Sequence, residues 1–441
     1  MLEEQNLWWK GAEYISEDED FSKWAKSKIK WVPSLLQKIE LDPYSMHFIF
    51  GPRQVGKTTL VKLLIKKLLD KGINPKAIFY FKCDQLTDFK ELDEVLKRYL
   101  ELKELTGIKT SFIFLDEITF PKDWFRAIKW HIDMGHFRAD VLVLTGSLSM
   151  FVKGETETFP GRRGKGQDFI MWPLSFREVL AVARPEIVKK IEAAESLDAE
   201  EIKAKCLKAA PWAKEIRSLF STYIECGGFP LALKSMLEEK KIPAEIASTY
   251  LSWIRGDLAK LKRSESIAKR ILKAIVEKVP STVSWHGLAK EFEIKSHKTV
   301  FYYIDIFEKL FLAKVLYFID PNKGVEIFYK QRKVHLIDPF LYTIFADWCF
   351  TKKPESSVIV ESIVASHLAR KTHIGYWRNS RELDIILPAF RLGIEVKYGE
   401  RPEFRQLAVG KIKKVLMLTK EKFSDKQAAI PISLFLACLD C

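Results

Sequence analysis

The chain has 441 residues, which is more than one hydrophobic core usually organises, so its length indicates two or three domains. Lys plus Arg number 72 against 58 Asp plus Glu, and this net charge of +14 favours a polyanionic partner unless it reflects only a lysine-rich composition. No apolar run approaches the ~18 residues that span a bilayer, and the N-terminus lacks the pattern of a signal peptide. We therefore expect a cytoplasmic protein with no membrane partner.

The first part of the chain predicts a helical extension followed by a parallel sheet. Residues 1–45 combine an acidic patch at 17–20 with Trp8, Trp9, Trp24 and Trp31, which indicates an extension packed on the next part of the chain. From 46 to about 175, helix-like stretches alternate with the apolar runs MHFIF, AIFYF, SFIFL, VLVLT and DFIMW. This alternation is typical of an α/β fold in which helices cover both faces of a parallel sheet.

A phosphate-binding loop follows the first apolar run. The segment GPRQVGKT fits G-x-x-x-x-G-K-[ST] and leads into the helix-like run TTLVKLLIKKLL. In such a loop the backbone N–H groups surround the phosphates, the lysine reaches the β and γ phosphates, and the hydroxyl binds Mg²⁺. The predicted nucleotide-binding residues are Gly51, Pro52, Arg53, Gln54, Val55, Gly56, Lys57, Thr58 and Thr59.

Two carboxylates end the third apolar run. Asp116 is the expected partner of Thr58 in holding Mg²⁺, and Glu117 is either the base that orients water or a solvated side chain. The fourth run ends in Thr145 and Ser147, whose hydroxyls either sense the γ phosphate or make ordinary turn hydrogen bonds. We take Ser147 as the candidate nucleotide contact.

From about 176 to 260 the strands give way to amphipathic helical periodicity, interrupted by CGGFP at 226–230. Six segments now resemble, in chain order, a family of archaeal and bacterial AAA-type ATPases. They are GPRQVGKTTL, FLDEI, VLTGS, the GR of FPGRRGKG, PLSFREVL and CGGFP. The resemblance covers nearly the whole chain and implies an AAA+-like sheet of the ASCE type, ATP as the nucleotide, a helical lid, a winged helix and a C-terminal domain related to PD-(D/E)XK nucleases.

The same resemblance implies a homo-oligomer in which an arginine reaches the γ phosphate of a neighbouring subunit. Arg162 matches the GR position, and Arg163 beside it is the rival. The alternative for both is a surface arginine that faces phosphate or nucleic acid.

A winged-helix pattern occupies residues 263–335. Three helical segments, SIAKRILKAIVEKV, WHGLAKEF and HKTVFYYIDIFEKL, precede two predicted strands, AKVLYF and VEIFYK, which are separated by PNKG. Between 260 and 335 there are 16 Lys plus Arg against 8 Asp plus Glu, so this segment holds a net +8 of the total charge.

The third of these helices is the expected DNA-reading element. Ser296 is expected to cap it, Val300, Ile304 and Phe307 to form its buried stripe, and Tyr303 to lie near its exposed start. The predicted DNA contacts, read through backbone charge and shape, are Lys295, Lys298 and Tyr302 on the helix and Lys330, Arg332 and Lys333 on the wing. The alternative is a winged helix that serves as a subunit contact.

The segment RELDIILPAFRLGIEVKYG predicts a hairpin that carries a second carboxylate cluster. Alternation places Glu395 and Lys397 on one face of their strand, and pairing with the preceding strand would bring Asp384 beside them. These three residues match the D-x(n)-E-x-K pattern of the PD-(D/E)XK fold, and Glu361 stands where that fold often has a supporting acid. Leu383 replaces the usual proline, so a working metal-dependent nuclease, a DNA-binding domain and a vestigial site all stay open.

The sequence thus predicts five segments: 1–45 as the extension, 46–175 as the ATPase core, 176–262 as the helical lid, 263–335 as the winged helix and 336–441 as the nuclease-like domain. The function expected is a Mg²⁺-dependent ATPase that binds DNA and remodels or processes it, with four-way (Holliday) junctions among the candidate substrates. The alternatives are an ATP-regulated switch whose C-terminal domain binds a protein, and an ATP-gated endonuclease.

Overall fold

The computed structural model describes residues 2–146, 159–379, 381–399, 408–424 and 428–440. The chain forms two compact units, Met1–Trp172 and Pro173–Cys441. Within the described ranges, no helix is both long and apolar enough to cross a membrane. The finer division into five segments remains a prediction.

A five-stranded parallel sheet forms the core of the first unit. Its strands are β1 (Ser45–Phe50), β2 (Ile78–Lys82), β3 (Phe112–Asp116), β4 (Val141–Gly146) and β5 (Asp168–Ile170), in the spatial order β2-β3-β4-β1-β5. Each neighbouring pair is parallel, and β1, β3 and β4 are buried throughout. The α-helices described in this unit are Leu2–Gln5, Glu19–Lys26, Leu35–Lys38, Lys57–Asp70, Phe89–Leu105 and Phe125–Asp133. The predicted α/β class and all five predicted apolar strands are confirmed.

The N-terminal extension covers the edge strand β2 with side chains. The Asn6 amide donates to the carbonyl of Tyr80 at 2.9 Å and accepts from its N–H at 2.7 Å, and the indoles of Trp8 and Trp9 donate to the carbonyl of Ile78 at 3.0 and 2.9 Å. An uncovered edge strand would leave these backbone groups available to another chain. The extension therefore satisfies the backbone groups at this edge of the sheet, in agreement with the predicted packing of its tryptophans.

The second unit begins with helices. They are Phe176–Ala183, Pro185–Val188, Ala199–Ala209, Ala213–Cys226, Pro230–Glu239 and Ala244–Lys260. The CGGFP interruption is a close approach of backbone to a buried carboxylate. Gly227 has φ +63°, a Cβ there would lie 1.9 Å from Oδ1 of Asp338, and the N–H of Gly228 donates to Oδ2 of Asp338 at 2.8 Å. Gly227 is required by this contact, and Gly228 is required because a Cβ there would lie 1.9 Å from the carbonyl oxygen of Leu174.

Three helices and an antiparallel pair of strands come next in the chain, at Glu265–Lys278, Trp285–Glu291 and His297–Lys309, then β6 (Ala313–Tyr317) and β7 (Arg332–Leu336). The prediction that VEIFYK forms the second strand is wrong, since RKVHL does so. Val325, Phe328 and Tyr329 are 52%, 62% and 85% exposed, whereas Val334 and Leu336 are buried. The strand register is therefore set by the residues that reach the core.

A mixed sheet organises the C-terminal part. Its strands are β8 (Gly375–Arg378), β9 (Glu382–Leu387), β10 (Leu392–Lys397), β11 (Lys414–Thr419) and β12 (Ala429–Pro431), in the order β12-β11-β10-β9-β8. β9 pairs antiparallel with β8 and β10, and β11 is parallel to β10 and β12. The helices are Pro339–Cys349, Ser356–Ala369 and Ile432–Ala437. Successive residues of β9 from Leu383 to Leu387 are buried, so both faces of this strand are covered.

Candidate nucleotide site, basic segment and carboxylate cluster

The predicted phosphate loop joins β1 to the helix Lys57–Asp70. Gly51 has no room for a side chain, because a Cβ would lie 2.2 Å from the carbonyl oxygen of Met171, and Gly56 at φ +94° precedes the first helical turn. The ammonium of Lys57 is buried and donates to the carbonyls of Gly51 at 3.1 Å and Pro52 at 2.9 Å. The loop thus holds its lysine at the helix N-terminus, where phosphate oxygens bind in such loops.

The carboxylate of Asp116 lies fully buried at the end of β3 and accepts three hydroxyl hydrogen bonds. Thr58 donates to Oδ2 at 2.7 Å, Tyr80 donates to the same oxygen at 3.1 Å, and Thr145 donates to Oδ1. Hydroxyl donors stabilise an ionised carboxylate without adding a positive charge. The three donors therefore fix the orientation of the Asp116 carboxylate next to the phosphate loop.

Glu117 has the less common left-handed backbone conformation, with φ +53°. Its N–H donates to the Thr145 hydroxyl at 3.0 Å, and its Oε2 is buried without a hydrogen-bond partner among the described residues. Strained backbone and unpaired buried carboxylate oxygens are typical of sites that await a ligand. The geometry agrees with a carboxylate that receives a hydrogen bond from water or substrate.

These residues fit a bound Mg²⁺ ion. Magnesium prefers oxygen ligands, uses few protein ligands and retains waters beside the phosphates. The hydroxyl of Thr58 and the buried carboxylate of Asp116 face each other and supply such oxygens. When bound, the ion would neutralise charge on the β and γ phosphates.

Lys62 and Tyr80 support this site, and neither role was predicted from the sequence. Lys62, on the helix after the loop, is buried, pairs with Asp18 of the extension at 2.9 Å and lies 3.2 Å from the ring centre of Tyr80. Burial lowers the pKa of Lys62, and the Asp18 charge opposes that shift. The sequence feature that could have indicated the buried position of Lys62 is its place among apolar residues of the helix Lys57–Asp70.

The arginines predicted to act between subunits are engaged within this chain. Arg162 donates from Nε to Asp133 at 2.6 Å, and its hydrogen bond lowers the pKa of that carboxyl. Arg163 pairs with Asp168 of β5, with Nη1 to Oδ2 at 3.0 Å. Ser147, the candidate nucleotide contact, lies outside the described residues.

The third helix of the basic segment begins as predicted. The Ser296 hydroxyl accepts from the N–H of Thr299 at 3.2 Å, and Val300, Ile304 and Phe307 are buried. Lys295, Lys298 and Tyr302 are exposed. The placement of Tyr303 at an exposed start is wrong, because its ring is buried beside the same stripe and its hydroxyl donates to Ser264. Spacings of three and four from its neighbours already favoured burial.

The three predicted wing residues have different surroundings. Lys330 is exposed, and its ammonium lies 5.6 Å from the ring centre of Phe318. Arg332 is partly exposed and stacks over Trp285 at 4.6 Å. The prediction that Lys333 contacts DNA phosphates is wrong, because its side chain is 1% exposed and surrounded by carboxylates.

The structure brings the predicted second cluster together. β9 and β10 are adjacent, Oδ2 of Asp384 accepts from the N–H of Val396 at 2.8 Å, and Lys397 pairs with Glu395 at 3.0 Å. Glu361 approaches from the helix Ser356–Ala369. Glu382 and Lys333 also belong to the cluster, with the Lys333 ammonium 2.6 Å from Glu382, and neither was among the predicted nuclease residues.

Burial and charge set the protonation of the cluster. Burial and the nearby Asp384 charge raise the pKa of Glu361, whereas Lys333 beside it acts in the opposite direction. Burial acts to lower the pKa of Lys333, but the three carboxylates outweigh it and hold the pKa above its ordinary value. Burial and the Lys333 charge lower the pKa of His335 to about 3, so this ring is neutral at physiological pH.

Two parts of the chain match models of known protein families. A family model described as an AAA domain matches residues 44–180, and another described as a domain of unknown function matches residues 217–349. The first match contains the phosphate loop, Asp116 and Glu117, so this part of the chain is similar to an AAA domain. No curated protein matches the chain.

Several solved structures have limited similarity to this chain. The ORC2 protein of Aeropyrum pernix, in ADPNP and ADP complexes, has 12% identity and a TM-score of 0.37 over 70% of this chain and 89% of its own. The ORC1 protein of the same organism, in complex with DNA, has 13% identity and a TM-score of 0.31 over 77% and 96%. RuvB of Thermotoga maritima has 15% identity and a TM-score of 0.27 over 78% and 96%. With TM-scores this low, none of the three supports an argument about this chain.

Proposed function

We propose that this chain is a Mg²⁺-dependent ATPase that binds DNA through the basic segment 260–335 and remodels or processes it. The observation that supports ATP hydrolysis most strongly is the convergence of Thr58, Tyr80 and Thr145 on the buried Asp116, directly before the strained Glu117. This arrangement lies inside the AAA-domain match.

Each residue has a role that its position explains. Lys57 would exchange the loop carbonyls for the β and γ phosphates, because an ammonium gains more from an anion than from a neutral oxygen. Thr58 and Asp116 would hold Mg²⁺, and Oε2 of Glu117 would accept a hydrogen bond from the attacking water. Glu117→Gln is therefore expected to bind ATP and to hydrolyse it poorly.

DNA binding rests on the localised charge and on the exposed start of the helix His297–Lys309. Lys295, Lys298 and Tyr302 are exposed there, and the capped helix N-terminus adds favourable partial charge for a phosphate. Lys330 is exposed in the turn-rich segment before β7. Backbone contacts of this kind favour recognition of DNA shape, and branched DNA such as a Holliday junction is the substrate that we propose to test first.

The deciding experiment measures ATPase activity and binding with single-stranded, duplex and junction DNA at two salt concentrations. We expect DNA to stimulate hydrolysis, and Lys295→Ala with Lys298→Ala to lower the salt slope by about 1–2, since each lost phosphate contact removes about one. Lys309→Ala is the matched control, because this residue ends the same helix and is paired with Asp305 at 2.8 Å. An ATPase rate that no DNA changes, together with no DNA retention at low salt, would contradict the proposal and favour a nucleotide switch.

A homo-oligomer with Arg162 acting in trans is part of the proposal. The guanidinium would have to leave Asp133 to reach a neighbour's phosphate, and 30% exposure of its side chain allows this. Arg162→Ala and Glu117→Gln subunits should each be inactive alone and regain activity on mixing, because a mixed pair contains one complete site. If mixing restores nothing, the arginine does not act between subunits.

A further inference from the structure

The ammonium of Lys333 lies at the centre of the C-terminal carboxylate cluster. It is 2.7 Å from Oε1 of Glu361, 2.6 Å from Oε1 of Glu382 and 3.4 Å from Oδ1 of Asp384. A lysine ammonium has three N–H donors, and the three carboxylate oxygens surround it in equal number. Three separate elements, β7, the helix Ser356–Ala369 and β9, are joined through this one nitrogen.

The donor set does not fit a divalent metal ion. Of the two oxygens of Asp384, Oδ2 accepts from the backbone N–H of Val396 at 2.8 Å, and Oδ1 is directed towards Lys333. Oε1 of Glu395 is paired with Lys397 at 3.0 Å, so only Oε2 of that residue is free of a partner in the described parts of the chain. Across those same parts, no three or more acidic, histidine or cysteine side chains are arranged to hold a metal.

We propose that Lys333 is the resident cation of this cluster and takes the place that a divalent metal would occupy. The carboxylates of Glu361, Glu382 and Asp384 are then counter-ions of a buried lysine, because an ammonium and a Mg²⁺ ion within the same few ångströms would repel each other strongly. The cluster has no metal to activate water, and the C-terminal part of the chain does not cut DNA by a metal-dependent route. This inference is independent of the proposed ATPase.

The arrangement also explains how strand β7 can bury a charged lysine. A lysine that loses its hydration shell is tolerated when carboxylates surround it and satisfy each N–H group. Lys333 meets that condition with partners 28 and 51 positions away in sequence, at Glu361 and Asp384. The cluster thus fixes strand β7 against the helix and the sheet behind it.

The test measures Mn²⁺ binding to the full-length chain without nucleotide, by electron paramagnetic resonance and calorimetry. All variants carry Asp116→Asn, which removes from the measurement the carboxylate proposed to hold metal beside the phosphate loop. In the chain that retains Lys333, we expect Asp384→Asn to leave Mn²⁺ binding unchanged, because no Mn²⁺ binds at the cluster. Lys333→Met should gain a site at least about 10-fold tighter, since each 1.4 kcal/mol of cation repulsion removed changes the dissociation constant tenfold.

Lys333→Arg is the matched control, because it keeps the positive charge and should gain no site. Mn²⁺ should raise the melting temperature of Lys333→Met and leave Lys333→Arg unchanged. The inference is overturned if the lysine-containing chain binds Mn²⁺ through Asp384, or if folded Lys333→Met gains no site. Should Lys333→Met not fold, the comparison of the lysine-containing chain with and without Asp384→Asn still decides. DNA cutting that requires metal and is lost in Asp384→Asn would also overturn it.

Discussion

Replacing Tyr80 by phenylalanine tests whether the buried hydroxyl orients the carboxylate of Asp116, which we propose holds Mg²⁺. The substitution keeps the ring that faces the Lys62 ammonium at 3.2 Å and removes only the donor to Oδ2 of Asp116 at 3.1 Å. A hydrogen bond to a charged group contributes about 1.5–3 kcal/mol, so unfolding of the first unit should need that much less free energy. Losing a partner that orients a metal-holding group typically lowers metal affinity by about 10–100-fold.

The assay is the ATPase rate as a function of Mg²⁺ concentration at saturating ATP. We expect Tyr80→Phe to shift the half-maximal Mg²⁺ concentration upward by about 10-fold or more. Tyr99→Phe is the matched control, because Tyr99 is equally buried, stacks on Phe79 at 4.2 Å and donates to the backbone carbonyl of Lys76 at 3.3 Å. Equal Mg²⁺ dependence in the two variants would refute the assignment of Tyr80 to the metal site.

Three further predictions concern stability. Asp18→Asn keeps an acceptor for the N–H of Phe21 but leaves Lys62 buried without its anion, so chemical denaturation should show a loss of about 3–5 kcal/mol, and an unchanged midpoint would contradict the pairing. His335 is neutral when folded because its pKa is lowered to about 3, so its contribution to stability is present above pH 6.5 and is lost as the pH falls below 6.5. By pH 4.5 this group alone should cost up to about 3 kcal/mol in urea unfolding, and His335→Gln should flatten the dependence. Gly227→Ala should destabilise by more than about 2 kcal/mol because of its positive φ and the Asp338 contact. Gly256→Ala, at an exposed position of the helix Ala244–Lys260, should stabilise by up to about 1 kcal/mol, and equal melting temperatures of the two variants would exclude the contact as the cause.

The parallel sheet could be predicted because its central strands are nearly continuous apolar runs. In a sheet covered by helices on both faces, no alternation is required, and MHFIF or SFIFL can be assigned from composition alone. The phosphate loop could be predicted equally well, since its residue spacing, the strand before it and the helix after it all fit a nucleotide-binding loop. These features depend on neighbours in sequence.

The second strand of the hairpin could not be predicted by the same reasoning. VEIFYK has the aromatic and branched residues typical of a strand, while RKVHL contains three basic side chains and resembles an exposed surface. The structure buries Lys333 and His335 because acids and hydroxyls from other elements satisfy them: Glu361 and Glu382 for the lysine, Ser362 for the histidine. Those partners are remote in sequence, and local pattern carries no information about them.

Buried carboxylates have two kinds of partner in this chain, and the difference separates the proposed Mg²⁺ site from the carboxylate cluster around Lys333. Asp116 accepts hydrogen bonds from the neutral hydroxyls of Thr58, Tyr80 and Thr145, and a cation that arrives with a nucleotide would add a positive charge beside it. Glu361 and Asp384 are held by the ammonium of Lys333, which supplies the compensating charge permanently. The nearest cation therefore distinguishes an ion-paired cluster from a nuclease site that looks the same in sequence. Here the cation is the ammonium of Lys333, which takes the place of the metal ion that nuclease chemistry requires.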